Sequence, residues 1–390
     1  MGSIFAEITI IICVAAFLAI IFRIFRQPAI VAYILTGILI GPFGQLQLQN
    51  YEVLKSMGDI GIALLLFILG LEFRFSQLRS VGKRAFGIGV LQLVVTMCIG
   101  YGMALLFGFS NVSALYISVA LTFSSTVMVV ALLSDKRDLL SPHGRITVGI
   151  LLVQDIFAIV VLMFLSGFTL LADSTTTVYD VGFGLFRGGL LFFFVWLVSK
   201  ILLSRVSSFL THSPDTLFLC SLAWAFGLAR ISSSSLFGMP LAVGGFLAGI
   251  SLANSVRGPQ IVVRARTLRD FFLIMFFVTI GMQTGSLSVD TLLLVFILTL
   301  FVLVAKPLLV LLIMASMGYQ RNTSFLTGFS LGQISEFSLL ILFLGARLGH
   351  VPQEVVSIVT FVGITSFLFS AYAVTYSKPI YTFLENKLLR

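Results

Sequence analysis

Residues 147–171 read TVGILLVQDIFAIVVLMFLSGFTLL, a 25-residue run in which one strongly polar pair, Gln154–Asp155, stands in otherwise largely apolar sequence. A helix of that length crosses a hydrocarbon layer of about 30 Å. Six apolar or small residues precede the pair (148–153) and ten follow it (156–165), so the pair lies near the middle of the span. A carboxylate at that depth costs roughly 2.5–3.5 kcal/mol on insertion scales. An aspartate locked into a structural pair is one explanation. An ion or proton site facing a watery cavity is the better one, and Asp155 is therefore the first candidate functional residue.

The rest of the chain has the same character. Of its 390 residues 59% are hydrophobic and 10% charged, against about 25% charged in a soluble domain. This composition describes a polytopic membrane protein. The net charge of +9 does not point to nucleic acid, because the basic residues are strung between apolar runs and form no cluster interleaved with aromatics. Gly182-Phe-Gly184 lacks a third glycine and follows no strand, so it is no dinucleotide loop. No catalytic constellation is visible, and an enzyme is not expected. Cys13, Cys98 and Cys220 lie within apolar runs at spacings that match neither a metal site nor a disulfide framework, and are expected as small core residues. His143, His212 and His350 are placed in loops without metal-ligand spacing, and Asp59, Glu72, Arg74 and Arg230 near helix ends. No basic residue or cleavage signal marks residues 4–22 as a leader, so they are read as a retained first helix.

Apolar runs fall at 4–22, 28–42, 57–73, 85–107, 112–133, 147–171, 182–203, 216–231, 236–254, 268–284, 290–317, 323–347 and 354–376, which predicts thirteen transmembrane helices. Nineteen basic residues follow odd-numbered runs, among them Arg23, Arg26, Lys136, Arg137 and Lys378. Only Lys55, Arg187, Arg230 and Arg347 follow even-numbered ones. This asymmetry predicts an N-terminus outside and a C-terminus in the cytoplasm.

An internal repeat accompanies the count. Pro28…Gly37-Ile38 aligns with Pro240…Gly249-Ile250 at an offset of 212, and Ile62…Gly70-Leu-Glu72 with Leu273…Gly281-Met-Gln283 at an offset of 211. At the latter offset Phe123-Ser-Ser-Thr-Val127 falls on Ile334-Ser-Glu-Phe-Ser338. An offset of seven helices places the copies in opposite orientations, the inverted-repeat plan of secondary transporters. The chain is thus read as one transmembrane domain, 1–390, with a first six-helix repeat (1–171), a linker helix (182–203), a second repeat (216–376) and the start of a cytoplasmic tail (377–390). Asp155 aligns with Ser366, so only the first repeat carries a carboxylate there.

Polar residues interrupt corresponding runs of the two copies: Thr122, Ser124, Ser125 and Thr126 in the fifth, Gln333, Ser335, Glu336 and Ser338 in the twelfth. Hydroxyls re-satisfy backbone groups where a helix breaks, and half-helix ends are natural ion sites. The pair predicts a crossed, broken-helix site, with Glu336 read as neutralising a half-helix end or as a second ion-coupled carboxylate. Lys306, before Pro307 in the eleventh run, is too deep to snorkel and calls for a partner, with Asp155 and Glu336 the carboxylates at similar depth.

The segments QPAIVAYILTGILIGPFG (27–44), GDIGIALLLFILGLEF (58–73), LTFSSTVMVVALLSD (121–135), GRITVGILLVQDIFAIVVL (144–162) and GFSLGQISEFSLLI (328–341) resemble the monovalent cation:proton antiporter-2 family, and within it the Kef-type potassium/proton antiporters. The resemblance covers essentially the whole chain. It implies a NapA-like all-α fold of thirteen helices with crossed discontinuous helices, and a homodimer in a bacterial or archaeal inner membrane. It implies Asp155 as the ion- and proton-carrying carboxylate, beside Gln154 where sodium-type relatives often have a second Asp. Ser124, Ser125 and Thr126 would lie at the first crossing, Ser335 and Glu336 at the second, and Lys306 at the basic position. Kef-type systems commonly continue into a cytoplasmic nucleotide-binding regulatory domain, which this chain does not contain; such a domain or subunit is a possible partner, with membrane lipid. The expected function is alternating-access exchange of K⁺, or Na⁺, for H⁺ with no cofactor and no metal beyond the monovalent cation at Asp155. A channel, or a membrane sensor that binds ions without moving them, is the alternative.

Overall fold

Each apolar run becomes helix, because a segment surrounded by hydrocarbon must satisfy its backbone groups internally. The computed structural model describes residues 4–41, 50–72, 82–167, 178–200, 214–253, 258–285 and 288–388. In order the helices are α1 (Ile4–Ile24), α2 (Ala29–Ile40), α3 (Tyr51–Glu72), α4 (Lys83–Leu106), α5 (Asn111–Thr122), α6 (Thr126–Asp135), α7 (Pro142–Gly167) and α8 (Val178–Val198). There follow α9 (Pro214–Ser232), α10 (Leu241–Ala253), α11 (Gly258–Gln283), α12 (Val289–Leu300), α13 (Lys306–Ser316), α14 (Arg321–Ser330), α15 (Glu336–Arg347) and α16 (Gln353–Leu388). A π-turn, Phe301–Ala305, joins α12 to α13; Pro307 has no N–H for the carbonyl four residues back, and the turn absorbs the mismatch. Among the described residues, eight spans are long and apolar enough to cross a membrane, and α2 and α10 are shorter apolar helices. The chain is an integral membrane protein with an all-helical fold.

Three sequence expectations are corrected. The cysteines are exposed, not core: in a membrane protein an apolar run faces lipid as readily as protein, so hydrophobicity does not report burial. His143 is not in a loop but in the first turn of α7, where it is buried. Asp59 lies inside α3 because that helix starts at Tyr51, six residues before the apolar run. Arg74 and His212 lie outside the described residues.

The chain divides into two compact units. In the first (residues 1–9, 47–75 and 160–279), α3 packs along α10, which also meets α8 and α9. Phe67, Leu71, Leu228, Val243 and Leu247 fill its core. The α3–α10 contact is backbone to backbone: a Cβ on Gly249 would sit 2.1 Å from the Phe67 carbonyl oxygen and 2.8 Å from the Gly70 Cα. In the second unit (10–46, 76–159 and 280–390), α16 packs against α2, α5, α6, α14 and α15, while α4 meets α5 and α13. There the same kind of contact recurs, a Cβ on Gly281 falling 2.0 Å from the Ile34 carbonyl oxygen and 3.0 Å from the Gly37 Cα.

Candidate functional site

The run at 112–133 breaks where its hydroxyl residues cluster. Between α5 and α6 the backbone of Phe123 and Ser125 is extended, so the carbonyls at the end of α5 lose their helical donors. Each of three finds a substitute. Ala120 O accepts from Ser338 Oγ at 2.6 Å, Thr122 O from Gln92 Nε2 at 3.2 Å, and Phe123 O from Lys306 Nζ at 2.8 Å. On the far side of the break Ser125 caps α6, its Oγ accepting from Met128 N at 3.3 Å. Ser124 N, which a continuous helix would direct at Ala120, instead donates to Gln154 Oε1 at 2.8 Å.

The run at 323–347 breaks the same way. Ser335 is the N-cap of α15; its Oγ accepts from Phe337 N at 3.2 Å and its own N–H donates to Ser338 Oγ at 3.2 Å, a reciprocal capping box. Ile334 N donates to Ser366 Oγ at 3.4 Å. The Gln333 amide lies between Ser330 O, 3.3 Å away, and the Ser370 hydroxyl. Ser124 Oγ donates to Leu331 O at 3.0 Å, and with the Ser338–Ala120 bond this holds the two interruptions against each other.

Lys306 is fully buried where they meet. Its ammonium donates to Phe123 O at 2.8 Å and to Gln333 O at 2.9 Å. The expected carboxylate partner is thus replaced by two carbonyls, both just beyond the C-terminal ends of half-helices, where the peptide dipoles concentrate negative potential. The acids occupy the opposite ends. Glu336 is the first residue of α15, 8% exposed, and accepts from Ser335 Oγ at 3.3 Å. Asp155, half-buried on α7, takes both of its oxygens to one donor at the first residue of α6: Thr126 Oγ1 lies 2.9 and 3.1 Å away.

The structure therefore brings Asp155 to Thr126, and Ser124, Gln333, Ser335 and Lys306 to the meeting of the two breaks. It turns the Gln154 amide toward Ser124 N. Sequence reading missed Gln92. It is fully buried on α4, donating to Thr96 Oγ1 at 3.1 Å as well as to Thr122 O, and accepting from Gln154 Nε2 at 2.7 Å. The one signal was a lone amide at the centre of the run 85–107.

A family model described as the transmembrane sodium/hydrogen exchanger matches residues 10–375. The chain belongs to the sodium/hydrogen exchanger family. This chain is 30% identical over 360 residues to the iron transporter MagA of Paramagnetospirillum magneticum, covering 89% of its own length and 79% of the relative's. It is 31% identical over 355 residues to K(+) efflux antiporter 5 of Arabidopsis thaliana, covering 86% and 60%. With the putative cation/proton antiporter YbaL of Escherichia coli it shares 28% over 336 residues, covering 84% and 60%. The chain spans about three fifths of the length of these last two. Its fold matches the sodium proton antiporter MjNhaP1 of Methanocaldococcus jannaschii with a TM-score of 0.63 at 16% identity, over 99% of this chain and 98% of the other. It is a family of transporters, not enzymes.

In the second unit a cavity of about 880 Å³ is lined by Ser125 and Val127 at the first interruption and by Arg23, Arg26, Asp135 and Lys136. Burial lowers the pKa of Lys136 below the usual lysine value, opposed by the nearby Asp138 carboxylate. Among the described residues no group of three or more His, Cys, Asp or Glu comes together.

Proposed function

We propose that this chain is a secondary active antiporter that exchanges one monovalent cation, K⁺ in preference to Na⁺, for one proton by alternating access. The observation that carries the reading is Asp155 held by Thr126 at the N-terminal end of a half-helix, beside a break reached by a cavity. Deprotonated Asp155 coordinates the cation with hydroxyls of Ser124, Ser125 and Thr126, and protonation releases it. Because ion and proton compete for one carboxylate, their fluxes are coupled. Gln154 shapes the site by holding Ser124, and Lys306, Glu336, Ser335 and Gln333 hold the two breaks together. The names of K(+) efflux relatives favour K⁺.

The proposed scaffold is thirteen spans, two six-helix inverted repeats (1–171 and 216–376) about a linker helix. Its support is that Gly37 aligns with Gly249 and Gly70 with Gly281, while the close contacts pair Gly37 with Gly281 and Gly70 with Gly249, so each copy of the repeat packs its glycine on the non-equivalent glycine of the other. By loop charge the N-terminus is outside and the C-terminus cytoplasmic in a bacterial or archaeal plasma membrane, and the cavity beside Arg23, Arg26 and Lys136 opens inward. A homodimer in lipid, with a cytoplasmic regulatory domain or subunit, completes the proposal.

The test is reconstitution in proteoliposomes containing a pH dye, followed by addition of K⁺ or Na⁺ to wild type and Asp155→Asn. Saturable cation-driven proton movement in wild type, abolished in the variant, is expected, with the lower KM for K⁺. Equal exchange by the variant would make Asp155 structural. Uncoupled current would mean a channel, and no flux with either ion a sensor.

A further inference from the structure

We propose that Gln92 is a positioning residue for the Asp155 site, acting through Gln154 on the first helix interruption; the inference rests on the antiport reading above. A break in a buried helix strands acceptors and donors, among them here Thr122 O and Ser124 N. Two amides close the gap between them in a relay whose direction is fixed. Ser124 N–H needs an acceptor, so Gln154 presents Oε1. Its Nε2 then needs an acceptor, which is Gln92 Oε1. Gln92 Nε2 is left to donate, and its acceptors are Thr122 O and Thr96 Oγ1. Flipping either amide sets donor against donor or acceptor against acceptor. Gln92 and Gln154 are 0% and 1% exposed, so no bulk water stands in for a lost partner.

The relay ties Thr122 to Ser124 across the break, and two residues beyond Ser124 is Thr126, the donor to Asp155. Gln154 precedes Asp155 on α7. Gln92 therefore fixes both sides of the Thr126–Asp155 pair, from a helix that contributes no atom to it. It also accounts for an amide at position 154: an ionised carboxylate there would accept from Ser124 N but have nothing to donate to Gln92. Position 154 thus stays uncharged because its neighbour on α4 takes a proton donor.

Two variants test this. Gln92→Leu removes the relay at every pH. Gln92→Glu keeps the shape and makes the relay depend on one proton: the protonated acid donates to Thr122 O and accepts from Gln154, while the ionised acid has no donor to offer. Cation-driven exchange is measured across pH in proteoliposomes, with thermal stability of the same samples. Gln92→Leu is expected to raise the apparent cation KM about tenfold while the maximal rate falls less, because two buried groups at the site lose their partners. Gln92→Glu is expected to match wild type within about twofold at the acid end and approach the leucine variant at the alkaline end. If Gln92→Leu does not fold, the divergence of Gln92→Glu from wild type with pH decides alone. KM values within twofold of wild type at all pH, in folded protein, would overturn the inference and leave Gln92 as packing. Absence of exchange in wild type would instead sink the antiport reading and this inference with it.

Discussion

Helix polarity sorts the charges of this site. Lys306 donates its ammonium to the carbonyls of Phe123 and Gln333, beyond the ends of α5 and α14, while Asp155 on α7 meets the start of α6 through Thr126 and Glu336 begins α15. Each charge lies where the half-helix dipole favours it. A lysine that requires no acid leaves Asp155 with Thr126 as its hydroxyl donor, and in the proposed mechanism its charge meets the cation. The hydroxyl then sets how the carboxylate is aimed. Thr126→Val keeps the shape and removes only that donor. It is expected to raise the apparent cation KM by about ten- to a hundredfold, the worth of one hydrogen bond to a charged group. Thr126→Ser should stay within about twofold of wild type. Exchange kinetics over a cation titration read both, and an unchanged KM in Thr126→Val would detach the hydroxyl from ion binding.

A helix break has to be paid back in hydrogen bonds, and α16 shows the rule away from the site. It continues through Pro379, which has no N–H for the Thr375 carbonyl. Lys136, just after α6, fills that vacancy, its Nζ 2.7 Å from Thr375 O and beside Val374 O. Its neighbour Asp138 pairs with Lys378 at 2.8 Å. The turn between the two site helices, α6 and α7, is thereby fastened to α16. Lys136→Met is expected to cost about 1–3 kcal/mol, read as a fall in melting temperature. In a Pro379→Ala background, where residue 379 regains its N–H, the same change should cost less, a coupling of about 0.5–1 kcal/mol. Strict additivity would refute the link. The sequence revealed the breaks and charges because hydroxyls, Asp155, Glu336 and Lys306 stand out in apolar runs. It revealed the hydroxyls that close part of the breaks, Ser338 on Ala120 O and Ser124 on Leu331 O, but not the amide and the ammonium that close the rest. Gln92 lies thirty residues from Thr122, and Lys306 was read as needing an acid because a free carbonyl exists only once the helix has broken. Run boundaries also misled at Asp59 and His143: polar helical turns extend α3 and α7 beyond their apolar stretches.

Orientation in the membrane is a property of the entire charge distribution, since no single helix fixes it. Nineteen basic residues after odd-numbered runs against four after even-numbered ones predict the turn after α6 in the cytoplasm and the turn after α9 outside. Each turn carries an exposed leucine, Leu140 at 78% and Leu236 at 63%. Three apolar runs, 147–171, 182–203 and 216–231, separate them. An odd number of crossings must put the two on opposite sides, whatever the fate of the other helices. With Cys13, Cys98 and Cys220 replaced by alanine, Leu140→Cys is expected to react with an impermeant maleimide only in inside-out vesicles, and Leu236→Cys only in right-side-out ones. Reaction of both from the same side would remove one of the three crossings. The two repeats would then no longer be inverted, and the pairing of Gly37 with Gly281 and Gly70 with Gly249 would need another cause.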